Sequence, residues 1–271
     1  HQTYCKAAVG HGSRIRRRKA GRKNLHQTLL NMKRHEFIAY LESIAPPELA
    51  EDFDFGRIGL LSEGKEEIVT VACALDATPY VAEQAAAGGF DALVVHHPAF
   101  WAPMHGVTGR SAAILRPLVK ADVNLYAMHT NFDHAAGGIN DALADVLKLK
   151  DCIRMDATPN SLGVVGTMTV SLSEMAKLLG CGLRVWGDVS GVRRIAVAGG
   201  AAFDWDLIYE AVSLGAEAFM ASELKYNMAI ESPIPCIEAT HYALEAPGME
   251  ALARREGWTF IPDVPQTSII E

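Results

Sequence analysis

The feature that most constrains the fold is a short apolar run that leads directly into two adjacent histidines. Residues 92–95 read Ala-Leu-Val-Val, and His96, His97 and Pro98 follow. A continuous apolar run of this length is typical of a strand buried on both faces, and proline ends such a strand. In an open α/β sheet, ligands bind outside the carboxyl ends of the parallel strands. The two imidazoles are therefore predicted to lie at a binding edge as neutral nitrogen donors.

Strand and helix patterns alternate along the chain on both sides of this run. Apolar spacing and Pro or Gly stops predict strands at 68–75, 92–95 and 124–128, and helices at 37–44, 79–87, 110–120 and 139–147. The second half continues with strands at 164–170, 195–198, 218–221, 236–239 and 259–261, and helices at 173–179, 205–214, 224–230 and up to about residue 254. This order predicts an α/β fold with mainly parallel sheets.

A weak internal repeat indicates that the chain has two related α/β halves. Residues 91–97 and 217–223 both follow a helix and a small-residue turn, and both predict a strand that ends in polar residues. Each is followed by another strand, whose end carries a histidine and, four residues later, a carboxylate. These pairs are His129 with Asp133 and His241 with Glu245. We therefore predict a first half at residues 32–150 and a second half at 151–271, which face each other across a site at their strand carboxyl ends.

Charge divides the chain into a basic leader and an acidic body. Residues 1–31 contain eight Lys or Arg and no Asp or Glu, which leaves 17 basic and 32 acidic residues in the remainder. An acidic body repels a phosphate backbone, so nucleic-acid binding is not expected outside the leader. The leader lacks apolar periodicity and is followed at once by Met32. We interpret residues 1–31 as a non-native or disordered extension, with an organellar transit peptide as the alternative.

Cysteine usage and hydropathy indicate the compartment. The five cysteines are scattered and form no CxxC pair. This pattern favours reduced thiols in a cytoplasmic protein and argues against both a disulfide framework and a cysteine-based zinc site. No apolar run approaches the roughly 18 residues that a membrane span needs, so we predict a soluble protein without a membrane partner.

Three predicted strand ends of the same polarity carry possible metal ligands. They are His96 with His97, then Asp133 in a Gly-rich turn, and then His241 with Glu245 at a helix start. Residues four apart on a helix share one face, so His241 and Glu245 can reach a common point. Five ligands are too many for one tetrahedral zinc that keeps an open position. They suit two metals that share a carboxylate, and Glu245 is the candidate bridge.

Each of these features also has a simpler interpretation. An adjacent histidine pair is more often structural than metal binding. Asp76 could cap the helix that begins at Pro79, and Glu223 could be an ordinary acid at a helix start. The coincidence of the three strand ends nevertheless favours a metal site.

Four motifs in order carry a resemblance to a known family. They are residues 75–79 (Leu-Asp-Ala-Thr-Pro), 95–98 (Val-His-His-Pro), 129–143 (His-Thr-Asn-Phe-Asp followed by Gly-Gly-Ile-Asn-Asp-Ala-Leu) and 239–245 (Ala-Thr-His-Tyr-Ala-Leu-Glu). The set resembles the GTP cyclohydrolase I type 2 family, also known as NGG1-interacting-factor-like proteins, over about Met32 to Val264. The chain resembles the short form, without the domain that some members insert near residues 150–163. At the position of Glu223, many members of the family have Asp.

The resemblance implies a cofactor, an assembly and a set of site residues. In that family, the positions of His96, His97, Asp133, His241 and Glu245 bind two divalent metals, and the glutamate bridges them. The family also implies a ring-like homohexamer whose sites face an inner cavity. Mixed histidine and carboxylate ligands suit Zn, Fe, Mn, Co or Ni, so the identity of the metal stays open.

The ligand pattern and the resemblance together predict a metal-dependent hydrolase that acts on a small, nucleotide-like substrate. A hydroxide formed from water between the two metals would attack an electrophilic centre, and Glu245 would bridge the metals. His129 would orient a ligand or transfer a proton. The sequence has no P-loop and no GxGxxG motif after a strand, so metal-dependent hydrolysis is favoured over GTP ring opening in particular. The alternatives are a phosphoesterase, or a non-catalytic protein that handles metals or binds a partner.

Overall fold

The computed structural model of the chain describes residues 31–267. The predicted basic leader therefore lies outside the described residues, except for Asn31. In chain order the strands are β1 (Met32–Lys33), β2 (Gly59–Ser62), β3 (Glu67–Ile68), β4 (Val71–Ala74), β5 (Ala92–Val95), β6 (Asn124–Ala127), β7 (Lys150–Arg154), β8 (Val164–Thr167), β9 (Arg184–Trp186), β10 (Arg194–Val197), β11 (Ala218–Ala221), β12 (Cys236–Glu238) and β13 (Thr259–Phe260).

The helices alternate with these strands. In chain order they are α1 (Arg34–Ile44), α2 (Pro79–Ala87), α3 (Gly109–Lys120), α4 (Thr130–His134), α5 (Ile139–Val146), α6 (Leu172–Leu179), α7 (Trp205–Ser213), α8 (Tyr226–Glu231) and α9 (His241–Glu256). Two 3-10 turns, Pro47–Leu49 and Asp52–Asp54, follow α1. The predicted cap of α2 is confirmed, because the Thr78 hydroxyl accepts a hydrogen bond from the Val81 amide and Pro79 occupies the first turn.

Two sheets share one topology at their centres. The first has the order β13-β4-β5-β6-β2, and the second has the order β7-β8-β10-β11-β12-β9. Strands β4, β5 and β6 are parallel, as are β10, β11 and β12. An antiparallel edge strand, β2 or β9, flanks the last strand of each trio. The predicted α/β fold is thus confirmed, and the repeat seen in the sequence corresponds to these two trios.

The sheets and helices form five layers. Helices α2 and α3 pack on the outer face of the first sheet, and α7 and α8 pack on the outer face of the second. Helices α5 and α9 lie between the sheets. Ile139 of α5 and Met249 of α9 pack against the first sheet, whereas Leu143 of α5 and Leu244 of α9 pack against the second. The two central helices therefore join both cores.

Gly248 allows α5 and α9 to approach closely. A Cβ atom at residue 248 would lie 2.5 Å from Cδ1 and 2.8 Å from Cα of Ile139. Only glycine leaves room for this contact without a shift of the backbone. Because α9 begins at His241 and contains Glu245, the same contact fixes the position of two predicted ligands.

The structure differs from the sequence prediction in several short strands and one short helix. The predicted strand at 68–75 is broken, because the amides of Val69 and Thr70 donate to the Asp91 carboxylate at 2.9 and 2.8 Å instead of joining a sheet. Strand β3 pairs with β1, and only β4 belongs to the first sheet. The prediction missed β1, β2, β7, β9 and α4, which are short elements, and β7 and β9 are largely exposed.

The last strand returns to the first sheet. Strand β13 pairs with β4 in parallel, so the carboxyl-terminal part of the described chain completes the sheet of the first half. The boundary between residues 150 and 151 stays a prediction. Within residues 31–267, no helix is both long and apolar enough to cross a membrane.

Candidate metal centre

The predicted ligands lie where parallel strands end. His96 and His97 follow β5, His129 follows β6 and precedes α4, and His241 begins α9 just after β12. Asp133 lies in α4, one turn from His129. The amides of His96 and His97 both donate to the carbonyl of Leu75, at 3.1 and 3.0 Å, which fixes this pair against the end of β4. Parallel pairing thus brings residues from distant parts of the chain to one edge.

All four histidines are held through the same ring nitrogen. In each ring, Nδ1 contacts an oxygen that can only accept a hydrogen bond, so Nδ1 carries the proton and donates it. The acceptors are Asp76 Oδ1 for His97 at 2.8 Å, Asp54 Oδ1 for His129 at 2.9 Å, Glu223 Oε1 for His241 at 3.0 Å, and the Met128 carbonyl for His96 at 3.0 Å. In a neutral ring, Nε2 is then an unprotonated donor of a lone pair. This arrangement is typical of histidines that bind metals.

Two groups of possible ligands share Glu245. In the first, Glu245 Oε2 lies 2.9 Å from His97 Nε2 and 2.8 Å from His241 Nε2, and the two nitrogens are 3.2 Å apart. In the second, His96 Nε2 lies 3.7 Å from Asp133 Oδ1 and 3.9 Å from Glu245 Oε1. Each group has ligand atoms within 4.8 Å of one another and could hold a metal ion. The two oxygens of one carboxylate therefore face separate groups.

His129 belongs to a third group, with His96 and His97. Its ring lies 5.1 Å from that of His96 and 5.7 Å from that of His97, measured between ring centroids. His129 contributes to neither of the groups that contain Glu245. It therefore lies beside the predicted ligands rather than among them.

Several ligand atoms are buried without hydrogen-bond partners. Among the described residues these include His96 Nε2, Asp133 Oδ1 and Glu245 Oε2, and the three side chains are nearly inaccessible to solvent. A buried polar atom without a partner costs about 1–3 kcal/mol. A divalent cation in each of the two groups would satisfy these atoms, so the residues present fit metal ions.

The electrostatics of the cluster also require positive charge. Burial lowers the pKa of His96 well below its usual value, so this ring is neutral. Burial would also lower the pKa of His97, but its contacts with Asp76 and Glu245 raise that pKa to about 10. Burial and the neighbouring Glu245 carboxylate raise the pKa of Asp133 well above its usual value. Protons thus balance the buried carboxylates when no cation does, as expected of a cation site.

Two glycines after β10 make room for the shared carboxylate. A Cβ atom at Gly200 would lie 2.4 Å from Glu245 Oε1, and Gly200 has a φ of +68°. A Cβ atom at Gly199 would lie 3.1 Å from Glu245 Cγ. Side chains at these positions would displace Glu245 from between the two groups of ligands.

Three acids that hold the histidines were not predicted as part of the site. Asp76 binds His97, and Thr78 rather than Asp76 caps α2, so the simpler interpretation of Asp76 is wrong. Glu223 binds His241 and has a φ of 56°, a strained value for a residue other than glycine, as is common at functional sites. Asp54 was not predicted, because it lies in a 3-10 turn 75 residues before its partner, His129. The available signal in the sequence was the group of acids at residues 51–54, which does not belong to a predicted helix.

The candidate ligands open onto a cavity of about 620 Å³. His97, His129, His241 and Glu245 all line this cavity. Other parts of the wall come from the turns that precede β2 and follow β5, and from the start of α7. A small molecule of drug size fits a cavity of this volume.

The chain is similar over most of its length to proteins of one family. The sequence model described as Duf34/NIF3 (NGG1p interacting factor 3) matches residues 32–257. The GTP cyclohydrolase 1 type 2 homolog of Clostridium perfringens (strain 13 / Type A) is 32% identical over 214 residues, which cover 72% of this chain and 79% of that protein. The protein of the same name from Streptomyces coelicolor is 29% identical over 266 residues, which cover 86% of this chain and 90% of that protein.

A solved structure agrees with this result. Reduced HcgD from Methanocaldococcus jannaschii matches with a TM-score of 0.71 at 28% sequence identity, and the match covers 85% of this chain and 97% of HcgD. The resemblance that the four motifs predicted is thereby confirmed. The chain belongs to the Duf34/NIF3 (NGG1p interacting factor 3) family.

Proposed function

We propose that this chain is a dinuclear, divalent-metal-dependent hydrolase of small molecules. His97 and His241 would hold one ion, His96 and Asp133 would hold the other, and Glu245 would bridge them. The observation that carries this proposal is that the two oxygens of Glu245 face separate groups of ligand atoms. Three protein ligands per ion leave coordination positions free, as catalytic sites require.

The chemistry follows from what the ions and the neighbouring residues can supply. Two bound divalent ions would polarise the substrate and lower the pKa of water. His129 lines the cavity beside the ligands, and its Nδ1–H donates to Asp54. This pairing leaves Nε2 as a base that can accept a proton near the reacting atoms. Burial would raise the pKa of Asp54, but hydrogen bonds from His129 and Thr130 lower it, so Asp54 is an anion that fixes the orientation of the His129 ring.

The relatives suggest a class of substrate. Proteins named GTP cyclohydrolase 1 type 2 homolog are about 30% identical to this chain over most of its length. A nucleotide-like substrate, with hydrolytic opening of a heterocyclic ring, is therefore the first reaction to examine. Hydrolysis of a phosphoester is the nearest enzymatic alternative, and it would release phosphate or a nucleotide without opening the ring.

The test is a metal analysis combined with product analysis. The protein is purified without a metal-chelating column, and its metal content is measured beside that of His97→Ala and Glu245→Gln. His105→Ala is the matched control, because His105 is exposed and belongs to no ligand group among the described residues. We expect about two divalent ions per chain in the parent and the control, and fewer in the two variants. Absence of bound metal after supplementation with Zn, Fe, Mn, Co or Ni would refute the proposal.

Turnover is followed on the same samples. GTP and simple phosphoesters are incubated with the protein, and the products are identified by mass. A ring-opened product that disappears in Glu245→Gln supports cyclohydrolase chemistry. Phosphate or nucleoside products would instead support a phosphoesterase.

One observation favours a second candidate, a protein that stores or delivers metal. The cavity wall carries Glu51, Asp204 and Asp206, which would attract cations, and His241 is one-third exposed. Such a protein would give up its metal quickly to a chelator and would turn over no substrate. Slow metal release together with turnover would exclude this candidate.

We also propose that the protein is a cytoplasmic homo-oligomer. The family resemblance implies a hexamer, and exposed aromatic residues such as Phe55 and Tyr226 support an assembly. Light scattering after size exclusion should give a mass six times that of one chain, and a monomer would contradict the proposal. The described cysteines are free thiols, which supports a reducing compartment. Cell fractionation tests that location.

A further inference from the structure

We propose that the cavity binds an uncharged planar ring by stacking against Phe53 and Trp101, and that a polyphosphate chain adds no affinity. This inference rests on the proposed function, because it names the class of substrate that the same site takes. We call Phe53 and Trp101 the aromatic wall. The preferred substrate is then a heterocyclic base or nucleoside rather than a nucleoside triphosphate.

The aromatic wall lies directly beside His129, the predicted general base. The ring of Trp101 meets that of His129 at a centroid distance of 5.3 Å and an interplanar angle of 87°. The ring of Phe53 meets the same imidazole at 5.9 Å and 68°. All three side chains line the cavity. A planar ring bound against the wall would therefore lie within reach of His129 and of the ligand groups.

Both aromatic side chains remain accessible to a ligand. Phe53 is 47% exposed and Trp101 is 50% exposed, although the cavity itself is partly enclosed by other residues. Ligand pockets are lined predominantly by hydrophobic and aromatic side chains, and both of these side chains line the cavity. Stacking on aromatic side chains tolerates different bases, because every base has a π-face.

Arg57 holds the two aromatic residues in place. Its Nε donates to the Trp101 carbonyl at 2.9 Å, and its Nη1 donates to the Phe53 carbonyl. Its guanidinium also lies 5.9 Å from the centroid of the Trp101 ring. One side chain thus connects the turn after α1 with the turn after β5. Arg57 is a positioning residue for the wall rather than a ligand of the substrate.

The charges of the cavity oppose a polyphosphate. Five carboxylates line the cavity, those of Glu51, Asp204 and Asp206 together with the predicted ligands Asp133 and Glu245, so their negative charge exceeds the four positive charges of two bound divalent ions. Within the described chain, no Lys or Arg lines the cavity. Phosphate sites in proteins normally combine Arg or Lys with free amides at a helix start. Helix α7 begins at this cavity, but the Asp204 carboxylate already accepts a hydrogen bond from the Asp206 amide. The start of α7 is therefore already occupied by acids.

The test measures binding to the protein as purified, with its metal content determined in every sample. Guanosine, adenosine, GTP and ribose are the probes, and isothermal titration calorimetry gives the dissociation constants. We expect both nucleosides to bind at least as tightly as GTP, and ribose to bind much more weakly. Trp101→Ala should weaken guanosine binding on the order of tenfold. The matched control is Trp186→Ala, because Trp186 lies 6.0 Å from the guanidinium of Arg184 but outside the cavity.

A second pair of changes tests the charge argument. Asp204→Asn combined with Asp206→Asn should strengthen GTP binding several-fold and leave guanosine binding unchanged. GTP binding tenfold tighter than guanosine in the parent protein would overturn the proposal. Guanosine binding that is unaffected by Trp101→Ala, or absent, would do the same. If either of these results is found in protein that contains two metals, the ring-binding proposal fails but the proposed function stands. If the ring binds to protein that takes up no metal, the proposed function fails but the ring-binding proposal stands.

Discussion

Replacing Gly248 with alanine is the most direct test of how α9 is held between the two sheets. The added Cβ would lie 2.5 Å from Cδ1 and 2.8 Å from Cα of Ile139. Carbon atoms in contact are about 3.5–4.0 Å apart, so α5 and α9 would have to separate by roughly 1 Å. Because Ile139 Cα belongs to the backbone, a change of rotamer cannot relieve the contact.

The expected effect follows from two opposing terms. Overpacking of a core costs about 1–3 kcal/mol, whereas alanine is better than glycine inside a helix by about 1 kcal/mol. Since the contact involves backbone, we take the upper part of the first range and expect a net loss of about 1–2 kcal/mol. For a chain of this size that loss lowers Tm by roughly 2–8 °C. A displaced α9 would also carry His241 and Glu245 away from their partners, so metal affinity should fall.

The assay is thermal unfolding followed by circular dichroism, with metal content measured on the same samples. Gly106→Ala is the matched control, because a Cβ there meets nothing within 4 Å and the backbone has no positive φ. Its stability should change by less than about 0.5 kcal/mol. Ile139→Val removes Cδ1 and one of the two close contacts. The loss of unfolding free energy caused by Ile139→Val should therefore be at least about 0.5 kcal/mol smaller in the Gly248→Ala background than in the parent protein. Equal Tm values for Gly248→Ala and Gly106→Ala would refute the reasoning.

Three further predictions concern carboxylates that act through a neighbour. Asp54→Asn removes the carboxylate that accepts a hydrogen bond from His129, so turnover should fall about 100-fold or more while the metal content stays unchanged. An unaltered pH–rate profile would contradict this role. Glu223→Gln weakens the support of His241 and should reduce metal affinity about 10- to 100-fold, as measured by competition with a chelator. Burial would raise the pKa of Asp91, but hydrogen bonds from Lys65 and Thr70 lower it. Asp91 therefore stabilises the fold above its unfolded pKa of about 3.9, and this stability is lost as the pH falls through the lower folded pKa. In Asp91→Asn the acid limb of the stability curve should be flatter, and an unchanged limb would contradict the assignment.

The parts of the fold that local sequence determines could be predicted. The apolar run at 92–95 has one stable environment, the middle of a sheet covered on both faces, and β5 occupies it. The positions of His96 and His97 follow from it, because a residue after a buried strand must lie at the sheet edge. His241 and Glu245 could be paired for a similar reason, since residues four apart lie on one face of α9.

Contacts between distant residues could not be predicted in this way. Asp54 and His129 are 75 residues apart, and nothing in the local sequence of either one indicates the other. The break between β3 and β4 depends on the Asp91 carboxylate, which binds two amides about 20 residues earlier. Short exposed strands such as β9 lack the burial that produces an apolar pattern, so they are visible only once their neighbours are in place.

The two halves contribute unequal parts to one site. After β6 and β12 the halves match, because each carries a histidine followed four residues later by a carboxylate. After β5 and β11 they differ, since the first half has His96 and His97, whereas the second has Ser222 and Glu223. In the first half, this position provides two ring nitrogens to the ligand groups. In the second half, it provides Glu223, which accepts a hydrogen bond from Nδ1 of His241. The repeat therefore builds a single centre around Glu245, with the cavity on one side, rather than two equivalent sites.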